Sequence, residues 1–117
     1  MSVITIDLPF PPSVNAIWRS FRGRVVASKE AQIWWKLAEG TLYTQRPAWK
    51  ARISGPFEAE LMFDQSKRGR KDLDNLSKLP LDAAQRFGII DNDRLCERLT
   101  SSWGEVDGCR LTLRGLA

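Results

Sequence analysis

The sequence predicts one α+β domain across residues 1–117, with a mixed β-sheet packed against two main helices. Three observations predict it. Phe57, Ala59, Leu61 and Phe63 alternate with Glu58, Glu60 and Met62, and Cys109, Leu111 and Leu113 alternate with Arg110, Thr112 and Arg114. That period of two belongs to strands with one buried face. Ala27, Ala31, Trp34, Trp35, Ala38 and Leu42 instead recur at helical spacing, as do Leu73, Leu76, Pro80, Ala83, Ala84 and Phe87. Finally, 117 residues with 43% hydrophobic content are enough for one real core but not for two.

Taken in order, Val3 to Leu8 is a β-branched run and predicts a strand. Pro9, Pro11 and Pro12 end it, because proline cannot continue a paired strand. They form a stiff connector or a rigid wall beside a site. Arg19 to Arg24 is a basic cluster with Phe21 inside it, expected as a turn or short hairpin leading into Val25 and Val26. Ser28 is placed to cap a helix running to about Thr44. Its tryptophans are expected in the core or at a subunit interface. Gln45 to Gly55, carrying Pro47, predicts a connecting loop. After the strand at 57–63, Asp64 to Lys71 leaves as a basic loop, and a second helix runs from about residue 74 or 75 to Phe87. Pro80 should kink that helix unless it lies near the start. Leu95 to Trp103 and Cys109 to Leu113 are expected to form a closing hairpin around a turn at 104–108.

Composition removes several chemistries. The chain has no histidine, which excludes Ser-His-Asp and Cys-His catalysis, histidine-ligated zinc and nucleases with a histidine base. Cys96 and Cys109 are too few and too far apart for a zinc finger and are expected as buried thiols in a reducing cytosol. No apolar run approaches a membrane span. A net charge of +4 is mildly basic and suits a nucleic-acid partner without requiring one. Any hydrolysis must therefore use carboxylates, a metal, lysine or arginine.

Lys67 to Lys78 carries that chemistry. Lys67, Arg68, Arg70 and Lys71 precede Asp72 and Asp74, and Asn75 and Lys78 follow. Acidic residues two apart point to one side of an extended chain and could converge on one cation. Hard oxygen donors suit Mg²⁺, which borrows substrate phosphate oxygens to complete its shell. The alternative is a helix start, with an aspartate capping free N–H groups. A second acidic cluster, Asp91-Asn92-Asp93, follows the second helix. In an extended segment Asp91 and Asp93 share a face and Asn92 points away. On a helix Lys78 would share a face with Asp74, four residues earlier, and could reach an attacked phosphate; it could equally pair with Asp74 or Asp82.

Arg70-Lys71-Asp72-Leu73-Asp74-Asn75-Leu76-Ser77-Lys78, then Leu81-Asp82-Ala83, then Gly88-Ile89-Ile90-Asp91-Asn92-Asp93, resembles the signature of the RusA family of Holliday-junction resolvases. Leu8-Pro9-Phe10-Pro11-Pro12-Ser13-Val14-Asn15 and Arg22-Gly23-Arg24 resemble it too, in the same order and at similar spacing. The resemblance implies a RusA-like fold and a Mg²⁺-dependent endonuclease, with Mn²⁺ as a substitute, acting as a homodimer on four-way DNA junctions. It implies cytoplasmic action in a prokaryotic or phage-infected cell. It assigns Asp72, Asp74 and Asp93 as catalytic, metal-holding carboxylates and Lys78 as the catalytic lysine. Asn75, Asp91 and Asn92 are secondary candidates. The family's later acidic pair is often Asp-Asp; here it is Asn92-Asp93. Pro80 stands where a plain helix is expected.

Phosphate contacts are expected from Arg22, Arg24, Arg68, Arg70 and Lys71. Two other readings compete: a DNA-junction-binding module of the same fold that does not cut, and a domain that binds a small phosphate compound through Mg²⁺. Carboxylates repel DNA, so a pure binder gains nothing from Asp72 and Asp74, which favours the enzyme.

Overall fold

The computed structural model describes residues 2–116. The chain opens with β1 (Val3–Leu8), continues through a hairpin of β2 (Trp18–Phe21) and β3 (Arg24–Ala27), and enters α1 (Lys29–Thr44) and the short α2 (Arg46–Trp49). β4 (Phe57–Asp64), α3 (Lys78–Arg86), β5 (Cys96–Gly104) and β6 (Cys109–Gly115) complete it. The main sheet has the order β1-β6-β4-β5, and β2 and β3 pair only with each other. β4 and β5 are parallel; β6 runs antiparallel to both β1 and β4. The sheet is mixed, as expected.

One face of the sheet makes the core. Ile4, Ile6 and Leu8 of β1, Phe57, Ala59, Leu61 and Phe63 of β4, and Cys109, Leu111 and Leu113 of β6 are all buried. Ala31, Trp34, Ala38 and Leu42 of α1 join the same core, as do Leu79, Leu81, Ala83 and Ala84 of α3. Trp34 is thus a core residue, and its indole N–H donates to the Pro9 carbonyl at 2.9 Å. That bond ties the proline-rich segment to α1. Ser28 caps α1 as predicted, its Oγ accepting the Ala31 N–H at 3.1 Å.

The predicted closing hairpin does not form. β4 lies between β5 and β6, so the two strands never pair. Their linker instead crosses the end of β4, where the Asp64 N–H donates to the Gly108 carbonyl at 2.9 Å. Gly108 is at φ +70, and a Cβ there would stand 2.4 Å from the Leu8 carbonyl oxygen, so only glycine fits the crossing. The physical reason lies in the side chains. β4 buries one face completely and needs a neighbour on each side, whereas β5, with Glu97, Arg98, Thr100, Ser101 and Ser102, has the polar character of an edge strand. The α3 crossover delivers β5 parallel to β4, as a strand–helix–strand unit must.

Three smaller expectations are corrected. The 45–55 segment is not all loop: Pro47 at the start of α2 pre-sets the backbone for a helical turn, and Trp49 buries beneath it. The second helix begins at Lys78 rather than near residue 74, because residues 73–75 close a separate 3₁₀ turn. Pro80 therefore lies in the first turn, where its missing N–H is not needed, and causes no kink. Of the two cysteines only Cys109 is buried; Cys96, at the start of the edge strand, is half-buried.

Candidate active site

Asp72 precedes the 3₁₀ turn Leu73–Asn75 and Asp74 lies within it, and the turn packs against β5. The turn closes through the Asn75 N–H to the Asp72 carbonyl at 3.1 Å and the Leu76 N–H to the Leu73 carbonyl at 3.2 Å. Leu76 is fully buried and pins it to the core. The alternative in which an aspartate caps the following helix is not realised. The Asp72 side chain makes no cap bond, and the residue preceding α3 is Ser77. Both carboxylates are exposed, and among the described residues neither has an ion-pair or hydrogen-bond partner. Asn75 is half-buried beside them.

The second acidic cluster divides between structure and site. Asp91 turns toward the 52–55 loop: its Oδ1 lies 3.3 Å from Arg52 Nη2 and its Oδ2 accepts the Gly55 N–H at 2.9 Å. Arg52, at φ 57, also donates from Nε to the Gly88 carbonyl, so one guanidinium bridges the end of α3 and the acidic cluster. Asn92 is consumed locally, its Oδ1 accepting the Arg94 N–H at 3.0 Å as the cap of the 3₁₀ turn Asp93–Leu95. Asp93 keeps its carboxylate free among the described residues. Its N–H donates to Gln85 Oε1 at 2.9 Å, which anchors it to the last turn of α3. Asn92 itself is extended, but a 3₁₀ turn begins at Asp93, and the two carboxylates part: Asp91 is bonded to Arg52 and Gly55, and Asp93 has no side-chain partner among the described residues.

Lys78 opens α3 and does not share a helical face with Asp74, which precedes the helix. Its Nζ pairs with Asp82 at 3.2 Å, an i,i+4 contact with the lysine half exposed. Such pairs are weak, so the ammonium can exchange its partner for a phosphate.

Asp72, Asp74 and Asp93 suit a hard divalent cation in kind, being three carboxylates without partners. In placement they are only partly gathered. Asp72 and Asp74 lie ahead of the first residue of α3, and Asp93 is tied to Gln85 in its last turn, about 10 Å along the nine-residue helix. Among the described residues no three acidic, cysteine or histidine side chains lie together as a metal-holding group.

The basic residues lie on two separate turns. Lys67, Arg68, Arg70 and Lys71 are exposed on the loop immediately before Asp72. Arg22 and Arg24 sit at the tip of the β2–β3 hairpin, where Arg22 and Gly23, at φ 51 and 75, make the tight turn that matches strand twist. Asp64 was not singled out by its sequence. It is buried at the end of β4, and the hydroxyl and N–H of Ser66 hold its carboxyl below the usual carboxylate range. It shapes the exit of the basic loop. Gln85 and Arg52 were likewise unmarked, because a lone glutamine or arginine carries no motif.

The profile of the family described as Endodeoxyribonuclease RusA matches residues 9–113. The chain belongs to the RusA family. Both acidic clusters, Lys78 and the proline-rich opening fall inside the matched span. The chain is similar to "Crossover junction endodeoxyribonuclease RusA" of Shigella sonnei (strain Ss046), with 29% identity over 114 residues covering 97% of this chain and 93% of that protein. The protein of the same name from Escherichia coli O139:H28 (strain E24377A / ETEC) is 30% identical over 95 residues, covering 81% of this chain and 78% of that one. The counterpart from Enterobacteria phage 82 is 28% identical over 118 residues, with 97% and 93% coverage. The α+β architecture is consistent with the RusA fold, and the chain is an endodeoxyribonuclease of that family.

Proposed function

We propose that this RusA-family chain resolves four-way DNA junctions by hydrolysing two symmetrically placed phosphodiesters, with Mg²⁺ as cofactor and Mn²⁺ as a substitute. The observation that carries the reading is the pair of partner-free carboxylates at Asp72 and Asp74 directly beside exposed cations at 67, 68, 70 and 71, with a third partner-free carboxylate, Asp93, at the far end of α3. A protein that only bound DNA would be weakened by such carboxylates. Asp72 and Asp74 would hold the ion, with Asp93 completing the set once it is drawn in from the end of α3, and the bound ion would supply a polarised phosphate and an activated water. The bonds of Asp91 to Arg52 and Gly55 turn it toward the 52–55 loop, which favours Asp93 for that role.

The protein's own groups do the rest. Arg68, Arg70, Lys71, Arg22 and Arg24 bind backbone phosphates and set the orientation of the DNA. Lys78, released from Asp82, places a positive charge where negative charge develops on the phosphate or its leaving oxygen. A four-way junction presents two equivalent strands, and a two-fold homodimer matches that symmetry. The relatives come from bacteria and a bacteriophage, which agrees with action in the cytoplasm of a prokaryotic or phage-infected cell.

The test is cleavage of a synthetic four-way junction and of the matching duplex, each with and without Mg²⁺, together with light scattering of the protein. Paired nicks in the junction alone, only with Mg²⁺ and from a dimer, are expected. Junction binding without cleavage in Mg²⁺ or Mn²⁺ would instead identify a binding module.

A further inference from the structure

The loop of residues 67–71 presents four cations beside Asp72, yet the hydrogen bonds within it join residues only three or four apart. They run from the Arg68 N–H to the Gln65 carbonyl at 3.2 Å, from the Lys71 N–H to the Arg68 carbonyl at 2.8 Å, and from Lys71 Nζ to the Lys67 carbonyl at 2.9 Å. Bonds of this kind shape a turn but do not fix it to the body of the protein. The contacts that reach the body are of another type. The Arg68 guanidinium carbon lies 5.5 Å from the ring centroid of Trp103, and Lys71 Nζ lies 5.7 Å from that of Phe10. Both distances are within the range at which a cation is attracted to an aromatic face.

The two rings form one surface. Phe10 and Trp103 stack with centroids 6.4 Å apart and planes 14° from parallel, and both rest edge-on against the fully buried Phe63, at 6.1 and 6.2 Å. Phe10 is held in turn by the proline-rich segment, which Trp34 anchors to α1. Trp103 stands near the end of the edge strand β5. We propose that Phe10 and Trp103 are positioning residues: an aromatic shelf that holds Arg68 and Lys71, and through them the start of Asp72, in place for the DNA backbone. The stiffness of Pro9, Pro11 and Pro12 then has a purpose, because it keeps Phe10 from moving away from its partner ring.

The shelf offers the loop no hydrogen bond and no counter-charge. Arg68 therefore keeps its full charge and its donors for phosphate, and Lys71 keeps its charge and the donors not given to the Lys67 carbonyl, whereas a carboxylate in the same place would compete with DNA. Ordering the loop in advance lowers the entropy lost when DNA binds.

Four variants in the full chain test this: Phe10→Leu and Trp103→Leu, which keep apolar bulk but remove the π face, and Phe10→Tyr and Trp103→Phe, which keep it. Trypsin cleaves after lysine and arginine in mobile segments, so cutting within 67–71 is expected to accelerate about five- to tenfold in each Leu variant and to stay near wild type in the aromatic ones. This readout does not depend on nuclease activity, so its failure is separable from failure of the junction-cleaving reading. Junction affinity should fall by a similar factor in the Leu variants while the salt dependence keeps its slope, since no cation is lost. Equal trypsin rates in wild type and Leu variants would overturn the proposal, as would aromatic variants as impaired as the Leu ones. If a Leu variant does not fold, NMR of the wild type decides. Ring-current upfield shifts of the Arg68 δ-methylene and Lys71 ε-methylene protons are expected, and their absence would refute the shelf.

Discussion

Arg52 holds Asp91 at 3.3 Å, and this contact separates two aspartates that stand only two positions apart in the chain. With Gly55 bound to its other oxygen, Asp91 serves the 52–55 loop, while Asp93 keeps a free carboxylate anchored through its backbone to Gln85. Asp93→Asn is therefore expected to abolish junction cleavage and to leave binding intact or tighter, since it removes negative charge near DNA. Asp91→Asn should retain cleavage and cost at most about 1 kcal/mol of stability, because the pair is exposed. Gel assays of nicking and binding, with thermal melts, check both; a cleaving Asp93→Asn beside an inactive Asp91→Asn would reverse the assignment.

Lys78 and Asp82 supply a second comparison. Lys78→Met should lower the cleavage rate on the order of 100-fold, the scale for loss of one group that stabilises transition-state charge. Asp82→Asn should leave the rate within about threefold, as an exposed i,i+4 pair is weak. Single-turnover rates on saturating junction separate these effects from binding. Similar losses in both variants would mean that the pair acts as a structural unit.

Replacing Arg68 and Arg70 with glutamine should weaken junction binding and reduce the slope of log affinity against log salt by about 1.8, or roughly 0.9 per phosphate contact. The same pair of changes at Arg22 and Arg24 tests the hairpin independently. An unchanged slope would show that the cluster in question is solvated surface.

Burial pushes the Cys109 thiol up to about 12, while Cys96, half-buried, is raised less strongly by the same cause. Iodoacetamide at pH 8 should therefore label Cys96 slowly and Cys109 only after unfolding. The linkage has a definite sign. A thiol raised in the fold contributes stability that is complete below its ordinary value near 9 and declines as pH rises from there toward about 12. Cys109→Val should flatten that decline relative to wild type, seen as a difference in melting temperature between pH 8 and pH 11.

Local pattern determined much of this protein. The α1 cap at Ser28, the buried face of β4, the β2–β3 hairpin and the alternation of β6 all follow from side-chain period and turn chemistry acting over a few residues. The signature around Asp72 and Asp74 named the family and the candidate carboxylates for the same reason: both residues lie in one short segment. What only the tertiary structure decided is how distant segments meet. Strand order was hidden because a four-residue linker between β5 and β6 is compatible with a hairpin, and only competition for the two sides of β4 places it elsewhere. The helix start was misplaced because Leu73 and Leu76 keep helical spacing while closing a 3₁₀ turn, so the period continues across a break in the hydrogen bonds. Asp91 and Asp93 could not be told apart locally. Their difference comes from Arg52, 39 residues earlier in the chain, whose guanidinium reaches Asp91 only once Ile53 has bridged to Ile90 beside the core.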